Sequence, residues 1–244
     1  MNSSNLYSSM FTRKSTREFE QTPLNGETME QINSFLAKIT PLAPKMKCTY
    51  KIVGANEVKG LALPKALHYL LIFGEKHPLR NTNAGFIFQH FELFLNSLGL
   101  AARYLNSVKP KENAPDFIIG MAFGKPVNYA PRTIADFDRK TVAEIAQGTD
   151  SRLEAVRFAP SGINKQPWYF IVDNGTIHTY YKKKLDGLMG LAYNMTSFDI
   201  GLALCHLAVA TEQEGKIFDF QIRKEEDVPT PPKNFIYVGT VENN

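Results

Sequence analysis

Two short blocks carry residue types from which a polar-ligand site can be built. Arg13-Lys14-Ser15-Thr16-Arg17 puts cations and hydroxyls side by side near the N-terminus. Two guanidiniums can fork onto phosphate oxygens, and a serine hydroxyl can donate one further bond. A helix beginning here would add its free N–H groups to that anion field. On composition alone, a basic cluster of this size near a terminus is more often an ordinary solvated face. The second block is Ala159-Pro160-Ser161-Gly162-Ile163-Asn164-Lys165-Gln166-Pro167-Trp168, which runs straight into the strand-like Tyr169-Phe170-Ile171-Val172. Asn164 offers a donor and an acceptor in one planar group, which suits a heterocycle with alternating carbonyls and ring nitrogens. A structured turn beside a core tryptophan explains the same residues, and that alternative stays open at this point.

Other chemistries find little support. The five histidines (His68, His77, His90, His178 and His206) show no close metal-ligand spacing, and Cys48 and Cys205 stand apart, so no metal site is expected. There is no G-x-S-x-G elbow and no G-x-G-x-x-G fingerprint. His90 and His206 sit in apolar helical segments and read as satisfied core or interface groups. Lys182-Lys183-Lys184 reads as a solvated hairpin edge.

The blocks must be positioned by a sizeable core. The chain has 244 residues with 43% hydrophobic and 21% charged content, ordinary values for a globular protein. A formal charge of +4 is too small and too dispersed to argue for nucleic acid, though a local cluster suffices for a phosphate-bearing small molecule. No run approaches 18 apolar residues, and Met1-Asn2-Ser3-Ser4-Asn5 does not open a signal peptide, so no membrane association is expected. Two isolated cysteines fit a reduced, cytoplasmic setting.

Periodicity predicts helices over 28–40, 83–98, 151–158 and 196–213. Strands are expected over 50–53, 67–73, 117–122, 169–172, 176–181 and 235–239. Asn174-Gly175 should close a hairpin, and Gly99 and Gly215 should stop the two long helices. A linker with a short helix over 138–147 is expected within 124–150. The pattern reads as written twice. Gly85, His90 and Gly99 recur 116 positions later as Gly201, His206 and Gly215, while Tyr50, Ile52, Val53 and Gly120 recur 119 positions later as Tyr169, Ile171, Val172 and Gly239. The two long helices carry few charges and should be buried, packed together about a local pseudo-two-fold axis.

Taken together, these residues resemble the FMN-dependent nitroreductase family. The R-x-S-x-R-like segment is Arg13, Ser15 and Arg17. The A-P-S-S-x-N-x-Q-P-W segment is Ala159 to Trp168, with Gly162 in place of the second serine. A D-x-G…G-L pattern appears as Asp199, Gly201 and Gly215, and in the first copy as Gly85, Gly99 and Leu100; Gly124-Lys125-Pro126 fits the G-x-P that follows a strand. The resemblance implies an α+β fold with central, mostly antiparallel sheets flanked by helices. Here the halves 1–130 and 131–244 would form an intramolecular pseudo-dimer. It implies FMN as cofactor, with the phosphate held by Arg13, Lys14, Ser15 and Arg17, assisted by Arg132. The ring would be set by Pro160, Ser161, Gly162 and Asn164. Chemistry would occur at flavin N5, with no catalytic side chain, from NAD(P)H to a nitroaromatic, quinone or similar small-molecule acceptor. Leu42-Ala43-Pro44-Lys45-Met46 matches the ring loop without its asparagine, and Arg139-Lys140-Thr141 is an incomplete basic segment, so the second cavity should be degenerate. A flavin-binding or catalytically inactive protein of the same fold is the alternative. Whether the expected monomer pairs into a further homodimer is left open.

Overall fold

The structure, a computed structural model, describes residues 3–185, 187 and 193–242. In chain order, the first half contains α1 (Ser3–Met10), α2 (Gly26–Leu36), β1 (Cys48–Val53), β2 (Val58–Lys59), β3 (His68–Gly74), α3 (Arg80–Ser97), β4 (Ala101–Leu105), β5 (Lys109–Pro110) and β6 (Phe117–Gly124). The second contains α4 (Val142–Ile145), β7 (Ala146–Gln147), α5 (Arg152–Val156), β8 (Trp168–Asp173), β9 (Thr176–Lys182), α6 (Thr196–Gln213), β10 (Phe220–Gln221) and β11 (Phe235–Val241). This is the expected α+β architecture, with sheets flanked by helices.

One sheet runs β1-β3-β6-β4, antiparallel throughout. The other runs β10-β11-β9-β8-β7, antiparallel except for the parallel β7–β8 edge. The interior strands β3 and β6 read as near-continuous apolar runs because both faces are covered. Asn174 and Gly175 both take positive φ (50° and 78°), as a two-residue hairpin with the twist of its strands requires.

Helices α3 and α6 cross at the centre of the molecule, and two glycines set how closely. A Cβ on Gly85 would lie 2.2 Å from the Phe198 carbonyl oxygen, and one on Gly201 would lie 2.1 Å from that of Thr82. Only hydrogen at these positions lets the backbones meet. Polar bonds pin the same crossing: Thr82 Oγ1 donates to the Ser197 carbonyl (2.9 Å) and Asn81 Nδ2 to Ser197 Oγ (3.1 Å). Both helices are buried nearly all round, as their lack of an amphipathic pattern implies. Gly99 and Gly215 end them with φ of 73° and 74°.

Some elements differ from the sequence expectation. The first helical segment spans Gly26–Leu36 rather than 28–40, because Asn25 caps it through Oδ1 to the Thr28 amide and Pro41 lies just beyond its end. The expected 138–147 helix shrinks to α4, since Ala146 and Gln147 turn extended to pair with β8. Periodicity missed α1, which is short, and β4, which is too brief to alternate. Among the described residues no helix is long and apolar enough to cross a membrane.

Candidate functional site

A cavity of about 230 Å³ opens beside the helix crossing. The N-terminal segment supplies Arg13 and Ser15. The loop before β8 supplies Pro160, Ser161, Gly162 and Ile163, and β4 and its continuation supply Arg103, Tyr104 and Asn106. Glu92 of α3 and Phe198, Asp199 and Leu202 of α6 complete the wall with Tyr193 and Met195. The two blocks singled out in the sequence therefore meet, although 145 positions separate Ser15 from Pro160. Ser15 is fixed by a bridge to Ala102 on β4, which brings the exposed Arg17 within electrostatic reach of Arg103. Burial and that like charge both lower the Arg103 pKa.

Arg13 is only 3% exposed and donates from Nε to Glu92 Oε1 at 3.0 Å. Its Nη1 and the second Glu92 oxygen find no partner. On the other side of Arg13, Arg132 and Arg139 lie over the Phe137 ring, 4.9 and 5.3 Å from its centroid. Burial, then Arg13 and Arg132, lower the Arg139 pKa to about 10. Three guanidiniums thus face one buried carboxylate, which leaves a positive field behind the cavity.

The backbone of the loop before β8 is held from α6. Asp199 Oδ1 accepts from the Gly162 amide (3.1 Å) and from the Tyr193 hydroxyl (2.9 Å), while Oδ2 is buried and unpaired. Burial raises the Asp199 pKa to about 8, against the pull of its two donors. Tyr193 packs on Gly162 so closely that a Cβ there would fall 2.0 Å from the phenol ring. The glycine that departs from the A-P-S-S pattern is thus matched to a tyrosine that the sequence gave no reason to single out. Ile163, Asn164 and Gln166 all take positive φ, and the Gln166 amide donates to Ser161 Oγ at 2.8 Å, so this loop is tightly shaped.

Lys14, Arg17, Arg132 and Asn164 are not in the cavity lining. Asn164 turns its carboxamide away: Oδ1 accepts from Arg139 Nη1 (2.6 Å), and Nδ2 donates to the Asp138 carbonyl (2.9 Å). Sequence reasoning missed Glu92, Arg103, Tyr104 and Tyr193. A glutamate in an apolar helix whose other charge is Arg80 at its first position was the one legible signal among them.

A second, larger cavity of about 1170 Å³ lies on the other face of the crossing. It is bounded by α2, α3, α6, the Pro41–Pro44 loop and the chain from Lys216 to Gln221. Its walls are aromatic. Phe35 stacks on Phe94 (centroids 4.1 Å apart), and Phe86 on Phe218 (5.7 Å).

Among the described residues no His/Cys/Asp/Glu group could hold a metal ion. His206 is fully buried. Its Nδ1 donates to the Ala155 carbonyl (3.1 Å), its Nε2 accepts from Gln89 Nε2 (3.3 Å), and burial lowers its pKa to about 3. It is the satisfied core histidine that the sequence suggested. Cys48 and Cys205 are both free.

Sheet order, helix crossing and loop geometry define a nitroreductase-like α+β protein. The family model described as "Putative TM nitroreductase" matches residues 5–211, and the chain belongs to that family. A "putative nitroreductase" from Thermotoga maritima superposes with a TM-score of 0.67 over 99% of this chain and 94% of that one, at 18% identity. A nitroreductase family protein from Clostridium difficile (15% identity, 57% of this chain and 94% of that, TM-score 0.45) shows weaker likeness. So does a "putative nitroreductase in complex with FMN" from Desulfovibrio desulfuricans (15% identity, 57% and 93%, TM-score 0.42). No curated protein sequence matches the chain at a significant level.

Proposed function

We propose that the chain is an FMN-dependent oxidoreductase with one competent flavin site, built in the smaller cavity. The supporting observation is the meeting of Arg13 and Ser15 with Pro160, Ser161 and Gly162 around one volume. The lining also carries buried polar atoms that the protein leaves unpaired: Arg13 Nη1, Tyr104 hydroxyl and Asp199 Oδ2. Such groups cost stability unless a ligand satisfies them. A flat ring with alternating donors and acceptors fits that demand, and a phosphate fits the end where Ser15, Arg17 and Arg103 gather. The volume is smaller than the roughly 300–1,000 Å³ usual for such ligands, so binding FMN would require the lining to open. When bound, FMN would supply hydride acceptance from NAD(P)H and delivery to a nitroaromatic, quinone or similar acceptor.

The chain's own residues orient and neutralise. Asp199 holds the Gly162 amide in place, and its uncharged carboxyl can present Oδ2–H as a donor. Glu92 fixes the Arg13 fork. In this reading Lys14, Arg132 and Asn164 act from outside the lining, Arg132 by adding charge behind Arg13.

We further propose that the halves 1–130 and 131–244 arose by internal duplication and form a pseudo-dimer. The matching antiparallel orders β1-β3-β6-β4 and β8-β9-β11-β10 support this. So does the Ala43 amide, which donates to Asn83 Oδ1 at 3.1 Å as the Gly162 amide does to Asp199, 116 positions after Asn83. Four further pairs with the same offset line the two cavities: Leu202 and Phe86, Glu92 and Ala208, Arg103 and Asp219, Tyr104 and Phe220.

The test is titration with FMN and with riboflavin, which lacks the phosphate. One FMN per chain is expected, bleached by NAD(P)H. The double variant Arg17→Ala/Arg103→Ala should weaken FMN at least tenfold and leave riboflavin nearly unchanged. Equal loss for both ligands, or two FMN per chain, refutes the assignment. Stoichiometric FMN that NAD(P)H does not bleach would favour the inactive flavin-binding alternative.

A further inference from the structure

The larger cavity occupies, in the first half's frame, the place of the flavin cavity in the second, yet its chemistry differs throughout. No arginine lines it. Its cations, Lys38 and Lys216, are exposed at the mouth, and Lys216 is paired to Glu214 at 2.7 Å. Phe218 and Phe220 lie nearly parallel (12°, centroids 6.5 Å apart), and with Phe35, Phe86 and Phe94 they present ring faces and edges to the space. Such walls favour a flat apolar molecule.

Polar side chains also line it, Asp219, Glu212 and Gln221 among them, but His90 is the one that sits among the aromatic rings, edge-on to Phe86. His90 lines the cavity, and its Nδ1 lies 2.9 Å from the Phe86 carbonyl. A carbonyl only accepts, so Nδ1 carries the proton. Burial lowers the His90 pKa to about 4, so the ring is neutral at physiological pH and Nε2 keeps its lone pair. Among the described residues no hydrogen bond engages Nε2. A neutral imidazole cannot hold a phosphate, but it can accept from a hydroxyl.

We propose that this cavity is a second ligand site, selective for an uncharged planar aromatic molecule bearing a hydroxyl, with His90 Nε2 accepting from that hydroxyl. The site does not depend on the flavin reading, because none of its lining residues belongs to the smaller cavity.

The probe is 2-naphthol, with naphthalene as the hydroxyl-free control, titrated by calorimetry into the full chain with and without saturating FMN. Saturable one-to-one binding of naphthol is expected, tighter than naphthalene by roughly three- to tenfold, the range of one net hydrogen bond. FMN should not compete. His90→Leu should bring naphthol down to the affinity of naphthalene. Ser34→Trp, at an exposed mouth position, should weaken both ligands at least tenfold, and Gln31→Trp provides an independent block if that variant misfolds. The proposal is overturned by competition from FMN, by naphthol binding that neither tryptophan disturbs, or by an undiminished naphthol preference in His90→Leu. Because the naphthol readout needs no flavin, its failure and the failure of FMN binding are separate results.

Discussion

The two cavities flank the same pair of helices and differ in size and in chemistry. At matched positions one has Glu92, Arg103 and Tyr104, and the other has Ala208, Asp219 and Phe220. The charged cavity is small and holds polar atoms short of partners. The aromatic cavity is about five times larger, 1170 against 230 Å³, and exposes its two lysines, Lys38 and Lys216. A shared scaffold therefore constrains where a cavity forms, while a handful of side chains decide what it can take.

The comparison is broken most severely at the buried ion pair, which only the charged cavity has. Arg13→Met leaves Glu92 buried without its hydrogen-bonded ion-pair partner, with Arg132 and Arg139 acting only through their field, and should cost about 3–5 kcal/mol in urea denaturation. Arg13→Met/Glu92→Met should recover most of that loss while still failing to bind FMN. A single variant as stable as the parent would show that the pair is not buried as described.

The crossing itself comes next. Gly201→Val puts carbon against the Thr82 carbonyl oxygen, which as helix backbone has little room to yield. A loss of about 1–3 kcal/mol or more is expected, together with both FMN and naphthol binding. Loss of one ligand alone would mean that the cavities do not share this scaffold.

The pH response should separate the two cavities through Asp199 and its matched residue Asn83. A carboxyl whose folded pKa is raised to about 8 stabilises the fold in acid, and that contribution drains away as pH rises from about 4 to 8. Asp199→Asn should remove this fall, so the variant gains on the parent between pH 5 and 8.5 in denaturation midpoints. His90 and His206 have the opposite sign. Their folded pKa values of about 4 and 3 lie below the ordinary 6.5, so stability is lost as pH drops below about 6.5. Parallel pH curves for Asp199→Asn and the parent would rule out a neutral Asp199.

The smallest effect concerns Asn164. With its carboxamide tied to Arg139 and Asp138, Asn164→Ala should cost about 1 kcal/mol of stability and leave the flavin potential unchanged. A shifted potential would restore it to the ring contact that the family resemblance implies.

Much of the fold was legible because its signals are local. The stretch 196–213 is rich in apolar residues at helical spacing and matches α6 to the residue, and Asn174-Gly175 announced its hairpin. The basic block and the Pro-Ser-Gly loop could be picked out as candidates by residue type. Their meeting could not be derived from type, because it depends on how two sheets and a helix crossing close over most of the chain length. The direction of Asn164 was likewise hidden. A motif names a side chain, and the positive φ values of Ile163, Asn164 and Gln166 decide where it points.

Sequence by itself determined the helices, the strands and the repeated spacing, since each follows from apolar periodicity and from glycine or proline at fixed places. Only the tertiary structure decided that Arg13 would be bound by Glu92, that Tyr193 would cover Gly162, and that residues with the same 116-position offset would line two separate cavities. Those outcomes depend on distances between residues far apart in the chain, where burial and unpaired polar atoms set the energy and no local pattern records it.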